Sequence, residues 1–148
     1  LYTGRVISRL TESEHDITLV CDADWRTRYE KRTEHPEEDG EKMRVTEGVV
    51  DTISRTMPSD QADGEYIGVT RFTPEGAGAL RKAYHEARED FGNGPFQAAA
   101  TFRKAYLIDL YQHMIESGHQ MHASFTTGEY MEIDTNQDFQ IAREEWDQ

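Results

Sequence analysis

The sequence predicts an α/β protein whose mixed sheet is flanked by helices. Two observations favour this class. Short, β-branched apolar runs alternate with amphipathic helical patterns, which is typical of a sheet covered by helical layers. Hydrophobic residues make up only 36% of the chain, but they are patterned at strand and helix periods. The predicted order is strand, hairpin, strand, helix, helix, strand, helix.

The first half of the chain predicts a buried strand, a polar loop and a β-hairpin. Residues 17–21 form a short apolar run, typical of a buried strand. Residues 26–41 are almost entirely charged or polar, which predicts a solvated loop. Residues 43–45 and 49–53 then flank Gly48, and this pattern favours a β-hairpin.

A second buried strand is predicted over 66–72, directly before the first helix. Thr73 is a good N-cap, and Pro74 suits the first helical position. Apolar residues then recur at helical spacing over 74–89, and Gly92 ends the pattern.

The last third predicts a long helix over 96–118, followed by strands over 121–125 and 130–133. Thr135 then caps a final helix, with Asp138 three residues on as its capping-box partner. The long helix rests on apolar residues that fall near one stripe.

Composition excludes several classes of function. The chain has 148 residues, enough for one domain with an ordinary core. Its net charge of −13 argues against a nucleic-acid polymer or an anionic membrane as partner. One cysteine excludes an internal disulfide framework. No membrane span or signal pattern is present in the sequence, so we expect a cytoplasmic protein.

Two acidic pairs with i, i+2 spacing are candidate metal or substrate ligands. Asp22 and Asp24 follow a buried strand, where ligands bind in open α/β sheets. Glu132 and Asp134 lie just before the last helix and would point to one side of a strand. Carboxylate oxygens suit a hard cation such as Mg²⁺. Alternatively, Asp22 and Asp24 are two solvated acids in a loop, and Asp134 only stabilises the positive N-terminal end of the last helix.

Three further residues are candidates for substrate contact. Arg26 and Arg28 belong to the one concentrated basic stretch, and guanidinium groups bind phosphate well. Asp109 lies on the flank of a predicted apolar stripe, where a carboxylate needs a partner or a pocket. Each has a plainer alternative, which is a solvated loop for the arginines and an exposed helix position for Asp109.

Four segments together resemble a known family. Residues 22–26, 63–68, 106–110 and 130–135 occur in the order seen in the C-terminal part of sugar-nucleotidyltransferase-like enzymes. The nearest subgroup is the phosphocholine and phosphonate cytidylyltransferases, including domains fused to phosphoenolpyruvate mutase. The similarity covers about residues 16–143.

The resemblance implies a Rossmann-like fold and Mg²⁺-dependent nucleotidyl transfer. In that reaction a phosphate or phosphonate oxygen attacks the α-phosphorus of a nucleoside triphosphate, with CTP favoured, and pyrophosphate leaves. Asp134 is the implied Mg²⁺ ligand, with Glu132 beside it on metal or substrate. Asp109 would hold a substrate ammonium group. To these we add two assignments of our own. Trp25 and Tyr66 would offer aromatic faces to a cationic head group, and Arg26 and Arg28 would reach phosphate.

The chain also departs from the family pattern. The family's Gly-rich nucleotide-binding loop, which wraps the triphosphate with backbone N–H groups, has no match in these residues. We therefore interpret residues 1–148 as one domain that forms the C-terminal portion of a larger enzyme, with Leu1 inside the parent. We expect this chain alone to be inactive.

Two other functions stay open. A metal-dependent glycosyltransferase of related fold would use Asp22 and Asp24 to hold a nucleotide-sugar complex. A non-catalytic binding module would retain the fold without the nucleotide loop. A sheet that lacks its other half would expose an apolar edge, so we predict a homo-oligomer.

Overall fold

The computed structural model describes residues 1–146, which form five strands and five α-helices. The strands are β1 (Ile17–Asp22), β2 (Lys42–Thr46), β3 (Val49–Ser54), β4 (Gly64–Phe72) and β5 (His122–Thr126). The helices are α1 (Gly4–Thr11), α2 (Arg26–Tyr29), α3 (Pro74–Phe91), α4 (Leu107–Glu116) and α5 (Asn136–Glu145).

The sheet is mixed and its five strands close on themselves in the order β1-β4-β2-β3-β5. β1 runs parallel to β5 and antiparallel to β4, and the β2–β3 hairpin joins β4 on one side. The hairpin's other strand meets β5 at one register pair, Val49 with His122. The predicted mixed sheet with flanking helices is confirmed. The Rossmann-like arrangement is not, because antiparallel pairs predominate and the hairpin folds back to close the ring.

β1 is the centre of the molecule. All six of its residues are buried, which explains the continuous apolar run in the sequence. Leu19 and Cys21 belong to the main core, where the sheet packs against α3 and α4. Val20 points to the opposite face and packs with Val6 and Leu10 of α1. Both faces of β1 are therefore covered by helices.

The helix starts that rest on local capping signals are confirmed. The Thr73 hydroxyl accepts a hydrogen bond from the backbone N–H of Gly76 at 3.1 Å, and Pro74 occupies the first turn of α3. Thr135 and Asp138 form the expected reciprocal capping box at α5. The second of these caps fixes the loop before α5, because Asp138 also accepts from the backbone N–H of Asp134 at 3.1 Å.

Prediction and structure differ at four places in the chain. The helix predicted over 96–118 was wrong, because α4 begins only at Leu107 and the preceding segment is a loop whose phenylalanines pack together. The strand predicted over 130–133 was wrong, since it reduces to one bridge between Tyr130 and Tyr2. α1 was not predicted, and the polar segment 26–41 begins with α2.

None of the helices in the described residues has the length and apolar composition needed to cross a membrane. The single domain over 1–148 and the homo-oligomer stay predictions, and residues 147–148 lie outside the described part of the chain.

Candidate functional site

An acidic cavity of about 210 Å³ lies between β4, the segment before β2 and the loop before α5. Carboxylates and tyrosines dominate its walls, and Arg55 lies at its border. The side chains used below are Tyr29, His35, Glu41, Arg55, Glu65, Tyr66, Tyr130, Glu132 and Asp134. This concentration of acids with aromatic rings suits a cationic ligand.

Burial makes the cavity's carboxylates reluctant to ionise without a cation. Removal from water raises the pKa of Glu41 and that of Glu65 to about 7 each. Glu65 is fully buried, and its two oxygens accept hydrogen bonds from the hydroxyls of Tyr29 and Tyr130. Burial and then the neighbouring charge of Asp134 raise the pKa of Glu132. A bound cation would relieve this crowding of negative charge.

Three candidate metal ligands meet at the mouth of the cavity. One ligand atom each from His35, Glu132 and Asp134 lies within 4.8 Å of the others. Nδ1 of His35 is 3.3 Å from Oδ2 of Asp134 and 3.9 Å from Oε2 of Glu132. The strand that was expected to align the two acids is absent, yet both converge on His35.

Arg32 fixes this cluster to the body of the protein. Its Nε donates to Oδ1 of Asp138 at 2.7 Å, and its Nη2 lies 2.5 Å from Nδ1 of His35. Its Nη1 is 3.5 Å from Oε2 of Glu132, and its guanidinium lies over the ring of Tyr29. The side chains of Arg32 and Asp138 are 5% and 1% exposed. A buried ion pair therefore ties the segment after α2 to the cap of α5.

The two carboxylates fit a small hard cation better than the histidine does. Mg²⁺ favours oxygen ligands and commonly takes one or two carboxylates, while retaining water and substrate phosphate oxygens. Glu132 and Asp134 are partly exposed, so their oxygens can reach such an ion. His35 suits softer divalent ions, and its Nδ1 is already engaged by Arg32.

Lys42 holds the opposite rim of the cavity. Its ammonium group is buried and donates to three backbone carbonyls, those of Glu38, Gly40 and Arg55. These hydrogen bonds join the segment before β2 to the end of β3. Glu41 and Arg55, which line the cavity, are thereby linked through the neighbouring Lys42.

The first acidic pair lies outside the cavity lining. Asp22 is completely buried, and its Oδ1 accepts from the backbone N–H groups of Asp24 and Gly128 at 3.0 and 2.8 Å. Arg28 bridges Asp22 and Asp24 at 3.5 and 3.4 Å. Gly128 has a φ of +83°, and an added Cβ there would come within 2.6 Å of the Arg28 guanidinium. This pair holds the end of β1 against the turn after β5.

Two other candidates are engaged within the protein. Trp25 is completely buried, with its ring edge-on to Tyr29, so its face is not open to a ligand in this structure. Arg26 covers that indole at 4.8 Å and donates to the carbonyl of Ser59. The proposed contacts of these residues with substrate stay predictions.

Tyr66 and Asp109 lie nearer the cavity. Tyr66 lines it, although its hydroxyl hydrogen-bonds Thr70 at 2.7 Å. Asp109 is nearly buried, and its Oδ2 accepts from the backbone N–H of Tyr106 at 2.8 Å in the α4 capping box. It also lines a neighbouring depression of about 330 Å³, which shares Arg55 with the acidic cavity. Asp109 is therefore both a helix cap and a wall of the adjoining space.

Sequence reasoning missed Arg32, His35, Glu41 and Glu65 as site residues. The first three lie in the polar segment that was interpreted as solvated loop. Arg32 belongs to its basic stretch, but no local spacing marks His35 or Glu41. Glu65 carried a signal, because it lies within the 63–68 segment that supports the family resemblance.

Comparison with known proteins points to cytidylyltransferases. No family model matches the chain. It is 22% identical over 142 residues to CTP:phosphoglutamine cytidylyltransferase of Campylobacter jejuni subsp. jejuni serotype O:2, covering 95% of this chain and 54% of that protein. The chain thus spans about half the length of the curated relative it matches.

The fold is similar to that of the inositol-1-phosphate CTP transferase from T. maritima. The TM-score is 0.53 at 17% sequence identity, and the match covers 84% of this chain and 41% of the other. Sequence and fold together support the resemblance to cytidylyltransferase-like enzymes that the motifs indicated.

Proposed function

We propose that this chain is the acceptor-binding part of a Mg²⁺-dependent cytidylyltransferase. The acceptor is a small phosphate or phosphonate that carries a cationic group, such as phosphocholine or 2-aminoethylphosphonate. The observation that carries the proposal is the convergence of Glu132 and Asp134 at the mouth of an acidic, tyrosine-lined cavity. Similarity to a CTP-using relative and to a CTP transferase fold supports the nucleotide.

The cavity and its border supply opposite charges for the two ends of such an acceptor. Glu41 and Glu65 attract a cationic head group, and the rings of Tyr29 and Tyr66 offer apolar walls. Arg55 lies between this cavity and the depression lined by Asp109, where a phosphate or phosphonate group would be neutralised. The acceptor is thereby oriented with its oxygen nucleophile toward the cavity mouth.

Catalysis then depends on positioning and charge. An acceptor oxygen attacks the α-phosphorus of CTP, a new P–O bond forms, and the bond to pyrophosphate breaks. Mg²⁺ held by Glu132 and Asp134 would neutralise phosphate charge during this displacement. Arg32 keeps both acids in place through His35 and the Asp138 ion pair, so the site is organised before substrate binds.

Metal binding tests the assignment of the carboxylates. Mn²⁺ replaces Mg²⁺ as the probe, and its binding is followed by electron paramagnetic resonance. We expect Asp134→Asn and Glu132→Gln each to weaken binding about tenfold or more. Asp90→Asn is the matched control, because Asp90 is an exposed acid on α3. Equal Mn²⁺ affinity in all four proteins would overturn the metal site.

Acceptor binding tests the cavity independently of catalysis. Calorimetric titration should show that phosphocholine or 2-aminoethylphosphonate binds, and that Glu65→Gln weakens this binding. Because the Gly-rich loop of the family is missing from these residues, we propose that the chain alone releases no pyrophosphate with CTP and Mg²⁺. Turnover above the blank would disprove that part, and tighter binding of UDP-sugars than CTP would favour the glycosyltransferase alternative.

A further inference from the structure

A cavity larger than the acidic one lies away from the acidic site. It measures about 590 Å³ and is a groove between the end of α3, the loop that follows it and the start of α4. Buried Phe96 and Leu110 form its floor. Tyr84, Tyr106 and Leu107 rise at its sides and are 42%, 56% and 51% exposed. Its volume is within the range of sites for small organic ligands.

The aromatic walls of this groove are already packed in place. The ring of Phe102 lies 5.5 Å from that of Tyr84 and 5.1 Å from that of Phe96, in tilted and edge-on arrangements. The first half of the loop is held by a bridge between Phe96 and Ala99, and α4 begins with a capping box. The groove is therefore formed by fixed elements and does not need a ligand to assemble it.

The charge of the groove is the reverse of the charge of the protein. The chain carries 29 acidic residues and a net charge of −13, yet no acid among residues 1–146 lines this groove. Arg88 and Arg103 do line it, and within residues 1–146 neither guanidinium forms an ion pair. Most other arginines near a cavity are engaged, as Arg32 and Arg55 are. Two free guanidinium groups beside apolar walls select an anion with a planar apolar body.

We propose that this groove is a second binding site, which takes a small planar aromatic anion such as a nucleoside monophosphate or an aryl phosphate. The ring lies among Tyr84, Phe102 and Tyr106, and the phosphate pairs with Arg88 and Arg103. The site is distinct from the acidic cavity in charge, although Tyr106 borders both the groove and the depression next to Arg55. The ring of Tyr106 lies 4.8 Å from the Arg55 guanidinium.

Titration of the chain with CMP and with 4-nitrophenyl phosphate, followed by NMR chemical-shift changes, tests the proposal. We expect saturable binding that Arg88→Gln and Arg103→Gln each weaken about tenfold. Arg81→Gln is the matched control, because Arg81 is an exposed arginine of α3 that does not line the groove. Both groove arginines are exposed, so their replacement leaves the core intact, and circular dichroism verifies folding.

Further arms separate this site from the proposed catalytic function. Asp134→Asn should leave binding in the groove unchanged, whatever it does to metal affinity. Several results would overturn the proposal: no saturable binding, binding of inorganic phosphate as tight as that of the aryl phosphate, binding that depends on Asp134 but not on the groove arginines, or capture of an acidic peptide in place of both probes.

Discussion

The two acidic pairs of this chain have the same spacing and opposite environments. Asp22 and Asp24 end β1, and Asp22 is sealed inside the protein by two backbone N–H groups and Arg28. Glu132 and Asp134 precede α5 and leave their oxygens at a cavity mouth, facing His35. Both pairs also lie one or two positions from a turn or a helix start.

The difference teaches that hydrogen-bond donors decide what a carboxylate does. An oxygen that receives N–H groups at 2.8 and 3.0 Å is satisfied by the fold and has no capacity to spare. Within residues 1–146, the oxygens of Glu132 and Asp134 receive no backbone N–H group at such distances; Arg32 and His35 approach them at 3.3–3.9 Å, and their exposed sides are left for an external cation. The predictions below distinguish a carboxylate that stabilises the fold from one that is kept for a ligand.

The largest effect on stability is expected at the ion pair behind the open acids. Arg32→Leu leaves Asp138 buried without its cation, which should lower the free energy of unfolding by about 3 kcal/mol. Urea unfolding measures the loss. Lys31→Met is the control, because Lys31 pairs with Glu145 at the surface and should cost less than about 1 kcal/mol. Equal effects of the two substitutions would contradict the structural role of Arg32.

The next largest effect on stability is expected at Asp22, and it should distinguish Asp22 from Asp24. Asp22→Ala strands two backbone N–H groups and should cost about 2 kcal/mol in urea unfolding. Asp22→Asn keeps an acceptor oxygen in the same place and should cost less. Asp24→Ala serves as the control and should change stability by about 0.5 kcal/mol or less, because Asp24 is exposed. A reversed order would show that Asp24 carries the structural load.

An effect of pH on stability is expected from Glu65, which lies opposite Asp22 in the β1–β4 strand register. Burial raises its pKa from the ordinary 4.5 to about 7, so the folded protein holds a proton that the unfolded chain has released. The contribution of Glu65 to the free energy of unfolding is therefore greatest below pH 4.5. It falls by about 1–3 kcal/mol as the pH rises toward 7. Urea unfolding between pH 5 and pH 8 measures the slope.

Glu65→Gln should reduce that slope without removing it. Glu41 has a pKa raised by the same cause and still contributes in the variant. Glu14→Gln, at an exposed position before β1, should leave the slope as it is in the wild type. An unchanged slope in Glu65→Gln would mean that Glu65 is ionised in the folded protein at all these pH values.

The smallest effect on stability is expected at the acidic pair of the cavity mouth, Glu132 and Asp134. Glu132→Gln and Asp134→Asn should change the free energy of unfolding by about 0.5 kcal/mol or less in metal-free buffer. Burial and its neighbour Asp134 already raise the pKa of Glu132, so neutralising it relieves a repulsion. A loss near that of Asp22→Ala would show that this pair also stabilises the fold.

Local signals in the sequence were sufficient where one segment determined its own structure. Thr73 and Thr135 begin helices through caps that lie within three residues, and the 17–21 run is a strand because both of its faces are buried. The same reasoning failed over 96–118. Phe96 and Phe102 were counted in an apolar stripe with Tyr106, Leu110 and Met114, but they pack as an aromatic cluster in a loop, and α4 starts at a Tyr106 cap.

The candidate site was predictable only in part, because its partners are distant in the chain. Glu132 and Asp134 could be named from their spacing and from the family resemblance. His35 lies about one hundred positions earlier in a polar segment, and nothing near it indicates that α5 packs alongside. Trp25 was predicted as a ligand contact because aromatic rings suit cations. In this structure it is buried beneath Arg26, and the contact with substrate stays a prediction.

Lys42 gives this fold an internal substitute for a structural metal ion. Its buried ammonium group donates to three carbonyl oxygens from two segments of the chain, much as a bound Ca²⁺ gathers carbonyl oxygens, and it is covalently attached. A chelator cannot remove this cation, and its presence does not depend on the supply of metal ions. Replacing Lys42 by Met would remove all three hydrogen bonds at once, so the link between the segment before β2 and the end of β3 depends on one side chain.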